Sequence, residues 1–346
     1  SAMPASIYNS DPFGHSRLWD EHARKAGYTT YPVDSLFNWD VVQSELTGRS
    51  LPSAIVGASN HGNSNGAKFD LNQNYLLKAE ATGRAKVYPG QEVQGIGWDG
   101  SRYTVDVIKR SPNGQQLDRY VLSCDRLFLG AGSVGTSELL VRAQAQGTLR
   151  NLNAETGKGW GSNGDTIVVR SFGTPKGLVQ ASPCASRLHD NAGSMPVTLQ
   201  NWYVPGVPVD LGIVGSLGMA FDQTHRGTFA YDPSVDKVKL EWAEAGNDDT
   251  IAATRIVNNR ICTASRTVPG ARPFVSDVNG RNWTAHPLGG AVLGQVTDAW
   301  GRVKGHPGLY VMDGAGIPGS TGAVNPALTI SALAERNIEK IIQQAG

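Results

Sequence analysis

The segment Gly130-Ala131-Gly132-Ser133-Val134-Gly135 constrains the fold more than any other stretch of this chain. It follows a short apolar run, Arg126–Leu129, and precedes a stretch of helical spacing, Thr136–Gln146. Glycines at such a turn let the backbone lie against a phosphate, and the helix that starts there aims free N–H groups at it. A full dinucleotide site of this kind also needs a second parallel strand ending in an acid about 20 residues further on. The corresponding region here is Gly147–Asn163, where Glu155 stands near the right distance with no β-branched run before it. The strand also follows a meander and does not open a βαβ unit. The turn therefore reads as a second glycine-rich contact beside a cofactor held mainly elsewhere. A stand-alone nicotinamide site and a plain strand-to-helix turn are the weaker alternatives.

Periodicity supplies the surroundings. Val93–Trp98 and Ala85–Tyr88 alternate like strands, Tyr103–Lys109 has a period of two, Ser111–Gly114 is a turn and Arg119–Ser123 returns. Helices are expected near Ser16–Lys25, over Asp70–Ala81 with Leu71, Tyr75, Leu76 and Leu77 as its apolar positions, and over Ile251–Cys262. Ser59–Gly66 and Gly157–Gly164 read as loops, the second as a crossing between domains. Strands are expected at Thr166–Arg170, Thr228–Tyr231, Lys237–Trp242 and Gly308–Met312, and a long helix from Pro326 to about Gln343.

A length of 346 residues suggests two domains. With 31 basic against 30 acidic residues and a net charge of +1, nothing points to nucleic acid. There is no apolar run long enough to span a bilayer and no signal-peptide pattern, so stable membrane insertion is not expected. The compartment stays open between cytoplasmic and secreted. Ser1-Ala2-Met3 reads as a cleavage remnant around an initiator methionine. Cys124, Cys184 and Cys262 lack metal-type spacing and read as buried free thiols, and no metal site is expected.

Chemistry concentrates near the C-terminus. In Gly314–Glu335, Asn325 is a good N-cap and Pro326 a good first helical residue. The helix N-terminus they open presents unsatisfied N–H groups and partial positive charge, which suits the negative charge of a reduced flavin. Asp313-Gly314 ends a strand where a backbone N–H can approach a pyrophosphate. His286, in Ala285-His286-Pro287-Leu288-Gly289-Gly290, lies in a shaped loop, and its imidazole can take a proton from an alcohol or position one. These features alone fit a structural loop as well as a catalytic one.

His286-Pro287-Leu288-Gly289-Gly290, Gly301-Arg302-Val303, Asp313-Gly314, Ile317-Pro318-Gly319-Ser320, Asn325-Pro326 and Ala332–Asn337 resemble the closing segment of bacterial cholesterol oxidases. These belong to the glucose–methanol–choline (GMC) family of flavin oxidoreductases. Cys124–Leu140, Gly159–Gly164, Asn60-His61-Gly62 and Arg226-Gly227-Thr228-Phe229 look like the same subgroup. The resemblance implies FAD and an α/β (α+β) fold. An incomplete Rossmann-like FAD-binding domain would comprise residues 69–159 and 301–346. An antiparallel-sheet substrate domain with helices would comprise 1–68 and 160–300. It implies oxidation of a hydrophobic alcohol, steroid-like or polycyclic, with hydride passing to flavin N5 and reoxidation by dioxygen. His286 would meet the substrate hydroxyl and Asn325 would lie near hydroxyl and flavin. Backbone groups of Val93, Gly314 and Ala327 would contact FAD, joined by Gly130, Gly132, Asp313, Asn325 and Pro326.

Two departures qualify that expectation. The family's main FAD fingerprint, a strand, glycine turn, helix and ribose-binding acid, has no counterpart in the sequence. The expected partner is therefore an N-terminal FAD-fingerprint chain or cleaved fragment that co-assembles. The family's catalytic glutamate, counted back from Arg226 and matched through Pro205, falls on Gln200. Glutamine cannot accept a proton at neutral pH, so isomerase chemistry would be lost while oxidation through His286 survives. Residues 172–225 resemble the family least, so a substrate other than cholesterol is expected. The competing readings are a flavin fold repurposed to desaturation, cyclisation or non-redox work on a natural product, and a non-catalytic binding subunit.

Overall fold

The structure, a computed structural model, describes residues 1–173, 177, 180–203, 210, 212–270 and 283–345. Pro205, used above to place Gln200, lies outside them. The fold is mixed α/β, and the chain divides into two compact units. Ser1–Val87, Asp165–Ala220 and Asp248–Trp283 form the first. Tyr88–Gly164, Phe221–Asn247 and Thr284–Gly346 form the second. The cuts thus fall at Val87 and Trp283 where the sequence suggested 68 and 300, and Phe221–Asn247 groups with the second unit.

The first unit is built on an antiparallel sheet. Among the described residues its order is Tyr31–Pro32, Ser186–Asp190, Val197–Trp202, Ile213–Ala220, Asp165–Ser171, Val268–Pro269. Three of these strands, 186–190, 197–202 and 213–220, carry no clear sequence signal. Every residue of Val214–Ala220 is buried, so the apolar–polar alternation that reveals a half-exposed strand is missing, and Gly215 and Gly218 interrupt the β-formers. Gly218 has a packing reason: a Cβ there would stand 2.3 Å from the Thr254 side chain. The helix Asp248–Ser265 lies on this face and buries Ala253, Thr254, Val257 and Ile261, a single helical stripe. Helix Gly14–Lys25 packs beside it and places Trp19, whose indole donates to Ser216 Oγ at 2.8 Å. Val168, Leu188, Leu199 and Val214 complete this core.

Arg170 is fully buried in the same layer. It reaches His22 Nδ1 at 3.2 Å, Ser216 Oγ at 3.4 Å and Asn258 Oδ1 at 3.5 Å, while its Nη2 has no partner. It meets no carboxylate among the described residues, and burial brings its pKa down to about 10. A smaller core holds Ile7, Phe13, Val42 and Ala54. The buried Glu45 carboxylate organises it by accepting from the backbone N–H groups of Ser53, Ala54 and Ile55.

The helix expected over Asp70–Ala81 is broken. A 3-10 turn, Leu71–Gln73, is separated from helix Tyr75–Ala81 by Asn74 at φ −136°, ψ −88°. Its apolar positions Leu71, Tyr75, Leu76 and Leu77 are all exposed, contrary to the buried face the spacing suggests.

The second unit contains the expected meander, Gln91–Trp98, Tyr103–Arg110 and Gln116–Cys124. Ala85–Tyr88 forms no strand. Leu127–Leu129 pairs in parallel with Leu309–Val311, and Phe128 stacks on Tyr310 with centroids 4.5 Å apart. The far edge of the Leu309 strand bonds Gly301 and Val303, through Val311 N to Gly301 O at 2.8 Å and Val303 N to Leu309 O at 2.9 Å. Among the described residues the other edge of Leu127–Leu129 carries no strand. The loop expected over Gly157–Gly164 contains a short strand, Lys158–Trp160, that joins the hairpin Gly227–Asp232 and Lys237–Glu241. Helices Gly132–Ala145 and Ala327–Ala345 complete the unit. Among the described residues no helix is long and apolar enough to cross a membrane, and no His/Cys/Asp/Glu group could hold a metal ion.

Candidate active site

Within the second unit His286 and Asn325, 39 residues apart in sequence, come together: Asn325 Nδ2 stands 3.3 Å from His286 Nε2. An amide nitrogen only donates, so this contact is a hydrogen bond in the imidazole tautomer whose Nε2 carries the lone pair. The backbone around His286 is fixed from several sides. Its own N–H donates to Thr284 Oγ1 at 2.8 Å, and that hydroxyl donates to Ser162 O at 2.9 Å. Leu288 and Gly161 exchange a pair of backbone hydrogen bonds at 2.9 and 3.1 Å. Gly289 N donates to Gly314 O at 2.9 Å, tying the histidine loop to the Asp313-Gly314 turn.

The two glycines after Leu288 are required by these approaches. At φ +88°, a Cβ on Gly289 would lie 2.0 Å from Gly159 O. At φ +102°, one on Gly290 would lie 1.8 Å from Ser137 Oγ. Both the backbone angle and the space exclude a side chain.

Asn325 is held through its loop. Asn163, fully buried at φ +56°, donates from Nδ2 to Val324 O at 2.9 Å and accepts from Thr321 N at 2.9 Å. Its own N–H donates to Gly319 O at 3.1 Å. The helix that follows starts at Ala327, one residue later than the sequence suggests, a difference within the usual spread of helix ends.

Asp313 links the two glycine turns. Its Oδ2 accepts from Gly132 N at 2.9 Å and Thr136 Oγ1 at 2.5 Å, and its Oδ1 accepts from Ala315 N at 2.9 Å. Burial raises the Asp313 pKa, opposed by these three donors. The turn it braces follows the parallel strand directly. Helix Gly132–Ala145 has no side-chain cap at Ala131, and a Cβ on Gly130 or Gly132 would meet no atom within 4 Å. The outer side of the turn is therefore open to a ligand, with backbone N–H groups behind it. Val93 is exposed at a β-bulge, Ala327 is exposed, and Gly314 and Pro326 are buried.

Gln200 belongs to the first unit. It sits on the sheet face opposite the helices, between its register partners Arg187 and Leu217, and is buried. Sequence reasoning passed over Asn163, Thr284 and Thr136 as functional positions. Only Asn163 left a trace, an asparagine before a glycine where a left-handed backbone is expected.

A cavity of about 870 Å³ also lies in the second unit, lined by Ile96, Trp98, Thr104, Arg150, Asn151 and His306 among others. It adjoins Pro307, at the N-terminal end of the parallel strands, and none of the residues expected to act lines it. Open α/β sheets place their chemistry at the other end, where Gly130 and Asp313 lie, so size is a poor guide here.

The family model described as GMC oxidoreductase matches residues 227–334. Cholesterol oxidase from Mycobacterium tuberculosis is 27% identical over 329 residues, covering 78% of this chain and 56% of that protein. Cholesterol oxidase from Acinetobacter baumannii is 26% identical over 378 residues, covering 91% and 64%. The chain thus spans little more than half the length of such relatives. In structure it is similar to a fungal aryl-alcohol oxidase, with TM-score 0.66 and 12% identity, covering 99% of this chain and 77% of that one. It is likewise similar to pyridoxine 4-oxidase from Mesorbium loti, with TM-score 0.63 and 15% identity, covering 98% and 71%. Residues 227–334 thus match the GMC oxidoreductases, a family whose cofactor is FAD, and the sequence is cholesterol-oxidase-like at low identity.

Proposed function

We propose that this chain carries the alcohol-oxidising centre of a GMC-type FAD-dependent oxidoreductase acting on a hydrophobic, steroid-like or polycyclic alcohol. The observation that carries the reading is the 3.3 Å approach of Asn325 Nδ2 to His286 Nε2. A hydroxyl placed beside both, in place of their direct contact, can donate to Nε2 and accept from the amide. His286 then takes the hydroxyl proton as the carbon–hydrogen bond breaks. Asn325 holds the oxygen on line, and the first turn of helix Ala327–Ala345 favours negative charge beside it.

When bound, FAD would supply the hydride acceptor at N5, with dioxygen as the terminal oxidant. The residues present fit one flank of it. The turn Gly130–Gly135, open on its outer side, and the Asp313-Gly314 turn offer backbone to a pyrophosphate. Asp313 has both oxygens engaged, so it acts by shaping these turns. Gly130, Gly132, Gly314, Pro326, Ala327 and Val93 would line the cofactor through their backbone. The other flank has no counterpart among the described residues. An FAD-fingerprint segment, as a separate chain or a cleaved fragment, would complete it along the open edge of Leu127–Leu129. Gln200 supplies no base, so double-bond migration is not expected.

The test uses the native flavin-bearing assembly, mixed anaerobically with a panel of hydrophobic secondary alcohols. At least one should bleach the visible flavin absorbance, and His286→Ala should slow that bleaching by about 10²–10⁴-fold with the resting spectrum unchanged. Bleaching by His286→Ala at the wild-type rate would refute the assignment. A flavin-loaded particle whose mass equals this chain alone would refute the fingerprint partner.

A further inference from the structure

We propose that the helix-free face of the first unit's sheet recognises a carboxylate on an otherwise apolar ligand, with Arg187 as the anchoring cation. This deepens the preceding reading, since it rests on that unit being the one that meets substrate.

Strand alternation puts Arg187, Gln200 and Trp202 on one face, with Tyr31 at the sheet edge. The register sets Tyr31 opposite Arg187, Arg187 opposite Gln200, and Gln200 opposite Leu217. Directly opposed side chains start about 5 Å apart at Cβ, and Trp202 is diagonal to Arg187 at about 7–8 Å, within reach of a long side chain. Among the described residues the Arg187 side chain makes no hydrogen bond or ion pair, and its Nε is buried without an acceptor. A guanidinium with a desolvated N–H and no acceptor is a cost that a bound carboxylate removes, through two parallel hydrogen bonds.

Among the described residues no carboxylate on the face lies within ion-pair reach of it. Gln200 has no charge. His189, against which Tyr31 packs at 5.9 Å, has its pKa lowered by burial and by Arg187, so it is uncharged at neutral pH. Asp165, on the same face, is three strands away, about 14 Å at ordinary inter-strand spacing. Trp202 is only half-buried and supplies apolar surface beside the cation. The side chains here offer donors to an anion and few acceptors to a hydroxyl. A neutral sterol would leave Arg187 as unsatisfied as it is without ligand.

The experiment measures equilibrium binding of cholate and of its methyl ester to the native assembly, below the micellar range, by calorimetry. This acid–ester pair keeps the ring system and removes the charge. The wild type should bind the acid at least about tenfold more tightly, as expected of a charged hydrogen bond. Arg187→Met should erase the difference, and Arg187→Lys should restore part of it, which guards against a folding defect in the methionine variant. Equal affinity for acid and ester in the wild type, or a preference that survives Arg187→Met, overturns the proposal. Binding needs no turnover. Preference for the acid without flavin bleaching therefore sinks the oxidase reading alone, and oxidation of neutral alcohols without preference for the acid sinks this one alone.

Discussion

Replacing Asp313 probes the brace between the two glycine turns. The carboxylate accepts three hydrogen bonds, from Gly132 N, Thr136 Oγ1 and Ala315 N. A hydrogen bond to a charged acceptor contributes about 1.5–3 kcal/mol net, and burying the carboxylate offsets several kcal/mol of that sum. Asp313→Ala should therefore cost about 3 kcal/mol. For a domain of this size that lowers Tm by roughly 6–12 °C. Asp313→Asn keeps the volume and one acceptor oxygen, enough for one of the two turns, and should cost about 1–2 kcal/mol.

The pH dependence has a definite sign. Burial raises the folded pKa of Asp313 above its unfolded value, so the folded state holds the proton more tightly. Its contribution is then fully present below the ordinary carboxylate pKa and is lost as pH rises through the folded pKa. The stability advantage of wild type over Asp313→Asn should accordingly be largest at acid pH and shrink on raising it. Chemical denaturation of both proteins across that range is the assay. An advantage that grows with pH, or an alanine variant within about 0.5 kcal/mol of wild type, would show that Asp313 is not a buried brace.

Two further predictions concern packing. Gly290→Ala should cost more than about 4 kcal/mol, because a Cβ would stand 1.8 Å from Ser137 Oγ at φ +102°. Gly322→Ala, at φ +80° with nothing within 4 Å, should cost only about 1–2 kcal/mol, and chemical denaturation of the two variants separates the cases. Arg170→Met should leave stability unchanged or raise it by about 1–4 kcal/mol, since it removes a buried cation with no carboxylate partner among the described residues. A loss above about 3 kcal/mol would mean that the bonds to His22, Ser216 and Asn258 outweigh the desolvation.

How much of this was legible in the sequence depended on exposure. The meander, the helix Gly132–Ala145 and the C-terminal helix announced themselves because each alternates buried and exposed positions or carries a turn at its end. The strand 213–220 did not, since a strand buried on both sides reads as an irregular apolar run, here cut by glycine, and the strands 186–190 and 197–202 are short and rich in polar residues. Exposure also misled. Leu71, Tyr75, Leu76 and Leu77 have the spacing of a buried helical face, yet all are exposed. Of the candidate site, the sequence could propose His286 and Asn325 separately. That they meet depends on backbone bonds between Leu288 and Gly161 and on Asn163 gripping the 319–324 loop. Such contacts leave no spacing to read. Asp313-Gly314 was expected to offer backbone to a cofactor, and nothing in the spacing showed that the Asp313 carboxylate engages both glycine turns.

The grip of Asn163 on the loop before Asn325 has an evolutionary consequence. It runs through backbone atoms, a buried amide and Gly319, where a Cβ would stand 2.7 Å from the Arg226 side chain, so substitution at Asn163 or Gly319 disturbs the placement of Asn325. That loop offers selection little neutral variation. The sheet of the first unit has its own hydrophobic core, and side chains such as Arg187 and Gln200 on its helix-free face can change with the backbone ladder intact. That face can therefore vary in sequence far more readily than the loop that holds Asn325 beside His286.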